Sequence, residues 1–218
     1  MDYLQPYIYF IVVALFASLR IYSKKIGGYP YLKTFPVYLL ITLLVELLGS
    51  YFSYVRVNNL TLYNVFSIVS ICYFLWLVSR MLESRRSKRT IRIIISVYII
   101  FSAVNLLYIQ KGEFNTISYG LGCILIVYFS IFFFLQLFRQ PASVALTSYP
   151  DFWICTAIMF WYCCGFPLYG FINFWTVNSA FVANNFGPIV TILNIFLYSL
   201  FTIAFICMKT RKYFSSPS

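Results

Sequence analysis

The sequence predicts an all-α integral membrane protein: a bundle of seven transmembrane helices with its N-terminus outside the cytoplasm and its C-terminus inside. Three observations carry this. Of 218 residues, 62% are hydrophobic and only 10% charged, against about 25% charged in a soluble domain. The apolar residues come in runs close to the roughly 20 residues that a helix needs to cross hydrocarbon. The basic residues gather in short connectors on one side of those runs.

The predicted spans are 6–21, 36–55, 60–82, 91–109, 116–138, 152–175 and 188–208. The first is the shortest. It begins a few residues after Met1, follows Asp2 instead of basic residues and lacks a small-x-small cleavage site, so it reads as a retained helix and not a signal peptide. The connectors are too short to fold as soluble domains, so 1–218 reads as a single transmembrane domain. Any cytoplasmic action would need a second chain.

Orientation follows from Lys and Arg, which are retained on the cytoplasmic side. Arg20, Lys24, Lys25 and Lys33 lie between the first two spans, and Arg80, Arg85, Arg86, Lys88, Arg89 and Arg92 surround the connector of the third and fourth. Arg139 follows the fifth, and Lys209, Arg211 and Lys212 follow the seventh. The opposite side holds only Arg56 and Lys111. Tyr and Trp favour the headgroup level; Tyr3, Tyr7, Tyr51, Tyr54, Tyr63, Tyr108, Tyr169 and Trp175 mark outer ends, and Tyr22, Tyr29, Tyr31, Tyr149 and Trp153 inner ones. The net charge of +11 is therefore a topology signal, and nucleic acid is not an expected partner. The partner implied is the lipid bilayer. Arg85, Arg86, Lys88 and Arg89 also suit contact with anionic headgroups, at roughly 1 kcal/mol per basic residue, or with a cytoplasmic protein; their plainer role is to anchor the orientation. The Phe-, Tyr- and Ile-rich composition with compact loops suggests a bacterial cytoplasmic (inner) membrane.

The third span contains Leu62-Tyr63-Asn64-Val65-Phe66 and the seventh Ile192-Leu193-Asn194-Ile195-Phe196, each with Asn a short way inside the outer face. Matching polar positions suggest two half-bundles joined by the fourth span, a three-plus-one-plus-three repeat.

Chemistry concentrates on few residues. Glu46 is the one acid deep within a span; burying it charged costs of order 3 kcal/mol even on insertion scales. It should face the bundle interior, as a coupling or ligand-binding carboxyl or as a hydrogen-bonded structural one. Asn64, Asn105 and Asn194 are the polar candidates near its depth, with Ser50 and Ser67; each Asn reads either as a cavity liner or as interhelical glue. Pro167, in Cys163-Cys164-Gly165-Phe166-Pro167, lacks an N–H and should bend or break the sixth span. A broken helix beside an interior acid points to a transporter site.

Absences narrow the chemistry further. The chain has no histidine, which removes zinc hydrolases, haem carriers and Ser-His proteases. Its acids do not pair within the spans, and no phosphate-binding loop occurs. Cys72, Cys123, Cys155, Cys163, Cys164 and Cys207 all lie in apolar runs without a C-x-x-C pair and read as small hydrophobes. No metal, cofactor or catalytic residue is expected, and enzyme activity is disfavoured. The expected function is binding and transport of a small solute or lipid through a polar site in the bundle. The alternatives are a sensor or anchor subunit recruiting a cytoplasmic partner and, third, a lipid-modifying enzyme.

Overall fold

A computed structural model describes residues 5–22, 29–139, 146–170, 172–173 and 180–208, with side chains in the last segment from 185 onward. Expectations placed on Tyr3, Lys24, Lys25, Trp175, Lys209, Arg211 and Lys212 lie outside the described residues. Among those described, every regular element is helical. Six helices are long and apolar enough to cross a membrane, and a seventh apolar helix is shorter.

The short helix is α1 (Tyr7–Ser18), prolonged by a 3₁₀ turn at Leu19–Tyr22. Twelve α residues and four 3₁₀ residues reach about 26 Å, just under the roughly 30 Å hydrocarbon core. It buries Ile8, Ile11, Ala14 and Ser18 at helical spacing. A 3₁₀ turn at Pro30–Thr34 then leads into α2 (Phe35–Tyr54), with proline in the first turn of each, where no N–H is missed. Arg56, at φ 57°, ends α2 by a left-handed residue. Next come α3 (Leu60–Met81), α4 (Arg85–Val104), α5 (Thr116–Phe138), α6 (Pro150–Gly170) and α7 (Ala180–Ile206).

Three of these helices differ from the sequence reading. The α4 helix starts six residues earlier than the predicted span, so Arg85, Arg86, Lys88 and Arg89 form its first turns. The Ser84 hydroxyl accepts the Ser87 N–H at 3.3 Å and caps the helix, and Arg and Lys are good helix formers. The α6 helix runs unbroken through Pro167 to Gly170. Proline removes one backbone bond, which a membrane helix tolerates where neighbours re-satisfy the freed carbonyl. The α7 helix starts at Ala180, eight residues before the predicted span, so that Pro188 lies inside it.

Hydrogen bonds collect the helix ends into two groups. At one end Asn59 donates to the Gly49 carbonyl at 3.3 Å, Asn64 to the Glu113 carbonyl at 2.9 Å and Thr191 to Gln5 at 3.4 Å. At the other, Arg20 donates to the Ile206 carbonyl at 2.9 Å, Tyr22 to the Lys33 carbonyl at 2.8 Å and Tyr31 to the Asp151 carboxyl at 2.5 Å. We call these the asparagine end and the basic end. Successive helices therefore run antiparallel.

The packing order closes a ring. α1 packs on α2 and α7, α2 on α3, α3 on α5, α5 on α6 and α6 on α7, while α4 lies against α3 and α5 from outside. Its position explains its burial: the apolar window of α4 is 22% buried, against 33–44% in the other five long helices. Gly122 on α5 lets α3 and α4 close in, since a Cβ there would meet Ile71 Cδ1 at 2.5 Å and the Tyr98 hydroxyl at 3.0 Å. Outward faces carry large apolar side chains, among them Phe16, Leu44, Val97, Ile100, Ile124 and Phe138. Lipid tails solvate such a surface and water does not.

Candidate functional site

One face of α2 carries Tyr38, Thr42, Glu46 and Gly49, spaced three or four residues apart and all buried. The Thr42 hydroxyl bonds its own helix, at the Tyr38 carbonyl. The Glu46 carboxyl instead reaches two neighbouring helices. Tyr7 of α1 donates to its Oε2 at 2.8 Å, and Tyr63 of α3 donates to the same oxygen at 3.3 Å. Gly49 makes the second bond possible: a Cβ at this position would run into the Tyr63 hydroxyl.

Gly49→Ala should therefore push Tyr63 off the carboxyl and lower the unfolding temperature. The cost should largely vanish in a Tyr63→Leu background, giving a coupling of about 1 kcal/mol in a double-mutant cycle. Thermal unfolding in detergent measures it, and equal costs in both backgrounds would refute the contact.

Glu46 lies on the wall of a cavity of about 440 Å³ lined by the ring helices. More than half of the lining residues are aromatic. Opposite α2, rings from α5, α6 and the α4–α5 connection form a continuous wall: Tyr119 and Tyr169 have centroids 5.3 Å apart, Phe114 and Tyr169 5.8 Å, Tyr119 and Tyr162 6.3 Å, and Trp161 and Tyr169 6.4 Å. Polar relief comes from Ser67, Ser70 and Asn194. Ser70 accepts the Tyr38 hydroxyl at 3.3 Å.

Towards the asparagine end a second hollow, about 420 Å³, is lined by Gln5, Ser50, Ser53, Tyr54 and Thr191. Both hollows share Tyr7, Asn59, Tyr63, Phe186 and Val190. The Tyr7–Glu46–Tyr63 bridge thus stands between a polar vestibule and an aromatic chamber.

Towards the basic end the chamber is closed by rings. Tyr38 meets Phe74 at 5.0 Å, and Phe35 meets Phe201 at 4.9 Å and Phe205 at 5.2 Å, all edge-on or tilted as aromatic quadrupoles prefer. Phe35, Phe201 and Phe205 are fully buried.

The predicted site residues separate. Glu46 and Asn194 line the chamber together. Asn64 does not: its amide donates to the Glu113 carbonyl, and its carbonyl oxygen accepts the Asn115 N–H at 3.0 Å, stapling α3 to the α4–α5 connection. Asn105, where α4 widens into a π-turn, bonds Gln110 at 2.9 Å, Ser118 at 3.2 Å and Asn115. Pro167 is exposed on α6, outside the chamber wall formed by Trp161, Tyr162 and Tyr169. Arg85, Arg86, Lys88 and Arg89 stand at the basic end, away from both hollows. Sequence reasoning missed the inward tyrosines. Tyr7, Tyr63 and Tyr169 read as headgroup markers, yet they turn into the bundle, whereas Tyr51, Tyr54 and Tyr108 do remain exposed. The available signal was Gly49, one helical turn from Glu46, which opens space for a large partner. Comparison with protein-family models, curated proteins and solved structures finds no match for this chain.

Proposed function

We propose that this membrane protein binds a small amphipathic solute in the aromatic chamber and carries it across the bilayer. The observation that carries the reading is the chamber itself: about 440 Å³, within the usual range of small-molecule sites, apolar with a few convergent polar groups. Glu46 is the group that changes partners. Its carboxyl is bridged to Tyr7 and Tyr63; a ligand entering from the vestibule competes for the carboxyl and loosens the bridge.

The asymmetry of the two ends supports transport over simple storage. A vestibule leads to the chamber on one side and an aromatic plug seals the other, as an alternating-access carrier requires of one of its states. The ring order supports the internal repeat: exchanging α1–α3 with α5–α7 carries α1 on α2 into α5 on α6, α2 on α3 into α6 on α7, and α3 on α5 into α7 on α1. We further propose seven spans with the asparagine end outside and the basic end in the cytoplasm, since Arg20, Lys33, Arg85, Arg86, Lys88 and Arg139 border one end and Arg56 and Lys111 the other.

Proteoliposomes test this. Saturable, gradient-driven uptake of amphipathic solutes is expected, reduced about tenfold in Glu46→Gln because a charge-assisted contact of about 1.4 kcal/mol is lost. Protease-accessible tags on the two termini of the same vesicles should report opposite faces. Saturable binding without flux under any gradient would shift the reading to a sensor subunit, and neither binding nor flux would end it.

A further inference from the structure

The chamber's lining also specifies the charge of what it takes. Among the described residues, Glu46 is its one charged side chain, and no Lys or Arg lines either the chamber or the vestibule. Both phenols donate to Oε2, so neither occupies Oε1. Across from that carboxyl stand the mutually tilted rings of Tyr119, Tyr162, Tyr169 and Trp161. Aromatic faces are electron-rich and attract cations, most strongly where water is excluded.

The three ligand charges then fare differently. An anion would face the Glu46 carboxyl with no Lys or Arg among the described lining residues to offset it. A neutral apolar body would fill the volume but add nothing to the two phenols that already bond Glu46, and it would gain no electrostatic attraction from the rings. A cation with an apolar body meets the carboxyl with its charge and the rings with both its charge and its bulk.

We infer that the chamber is a site for an organic monocation, a quaternary ammonium or protonated amine carrying an apolar group. This rests on the proposed reading that the chamber holds a small molecule, and adds the sign of its charge.

The test uses the full-length protein in lipid nanodiscs, titrated calorimetrically against empty nanodiscs. The probes are benzyltrimethylammonium, its uncharged carbon isostere neopentylbenzene, and the anion 3-phenylpropionate. The cation should bind at least about tenfold more tightly than either of the others. Glu46→Gln should weaken the cation about tenfold and leave the neutral isostere within about twofold, and Tyr169→Leu should weaken the cation while Glu46 is intact. Equal affinity for cation and neutral isostere, or a Glu46→Gln protein that keeps its cation affinity, overturns the charge assignment and leaves the chamber as a neutral-ligand site. Binding of none of the three, in a protein whose thermal unfolding remains cooperative, overturns the chamber reading itself. Should Glu46→Gln not fold, the ranking of the three probes on the parent protein decides alone.

Discussion

Phe35→Ala is expected to lower the unfolding free energy by about 3 kcal/mol and to make the bundle leak. Phe35 is fully buried and its ring touches Phe201 at 4.9 Å, Phe205 at 5.2 Å and Tyr38 at 6.1 Å. Truncating a buried aromatic costs about 3–5 kcal/mol in soluble cores, where loss of transfer energy adds to the cavity. Between membrane helices the transfer contribution is small because lipid is as apolar as the core, so the lower end of that range applies. Its ring also backs Tyr38, which lines the chamber, and this separates its effect from that of an ordinary core position. Reversible unfolding in mixed micelles gives the energy, and passive efflux of a trapped small dye from proteoliposomes gives the seal. A variant that loses stability without leaking would mean that the closure lies elsewhere. Phe35→Leu, which keeps much of the volume, should lose less on both measures.

The second large effect is expected at Asn64, for a different reason. Its amide oxygen holds the Asn115 N–H at 3.0 Å and its amide nitrogen holds the Glu113 carbonyl at 2.9 Å. Asn64→Leu removes both at once and strands a backbone donor and acceptor near the start of α5, worth about 1–3 kcal/mol where water cannot replace the bonds. The loss should spread, because Asn115 also contacts Asn105, whose amide bonds Gln110 and Ser118. Hydrogen exchange should therefore rise along 105–118 while the α6–α7 pair stays protected. Uniformly raised exchange would point to global destabilisation and away from a staple. Ligand affinity in the chamber should change little, since Asn64 does not line it.

Much of this protein is legible from hydropathy and charge. The spans at 60–82 and 116–138 agree with α3 (Leu60–Met81) and α5 (Thr116–Phe138) to within a residue, because flanking polar residues mark where the apolar run stops. The interior position of Glu46 is legible for a related reason: a lone acid in an apolar run cannot face lipid cheaply. Its partners are not legible. Tyr7 and Tyr63 lie 39 and 17 residues from it in sequence, and a tyrosine near a helix end satisfies the headgroup rule equally well pointing outward. Asn64 and Asn194 occupy similar positions in the predicted spans 60–82 and 188–208, yet one staples a connection and the other lines the chamber. The start of α4 was misplaced because charged residues look like connector on a hydropathy profile, while the Ser84 cap lets them continue as helix.

Composition and the spacing of apolar runs by themselves determined that the chain is helical and belongs in lipid, since only backbone groups bonded within a helix tolerate hydrocarbon without a closed barrel. Apart from α2, whose inward side Glu46 marks, tertiary structure alone decided which side of each helix faces inward. Within the hydrocarbon most of these helices are apolar all round, and core and solvent are equally oily, so no stripe in the sequence separates them. The aromatic chamber, the phenol bridge on Glu46 and the plug at Phe35 exist only once packing has chosen those faces.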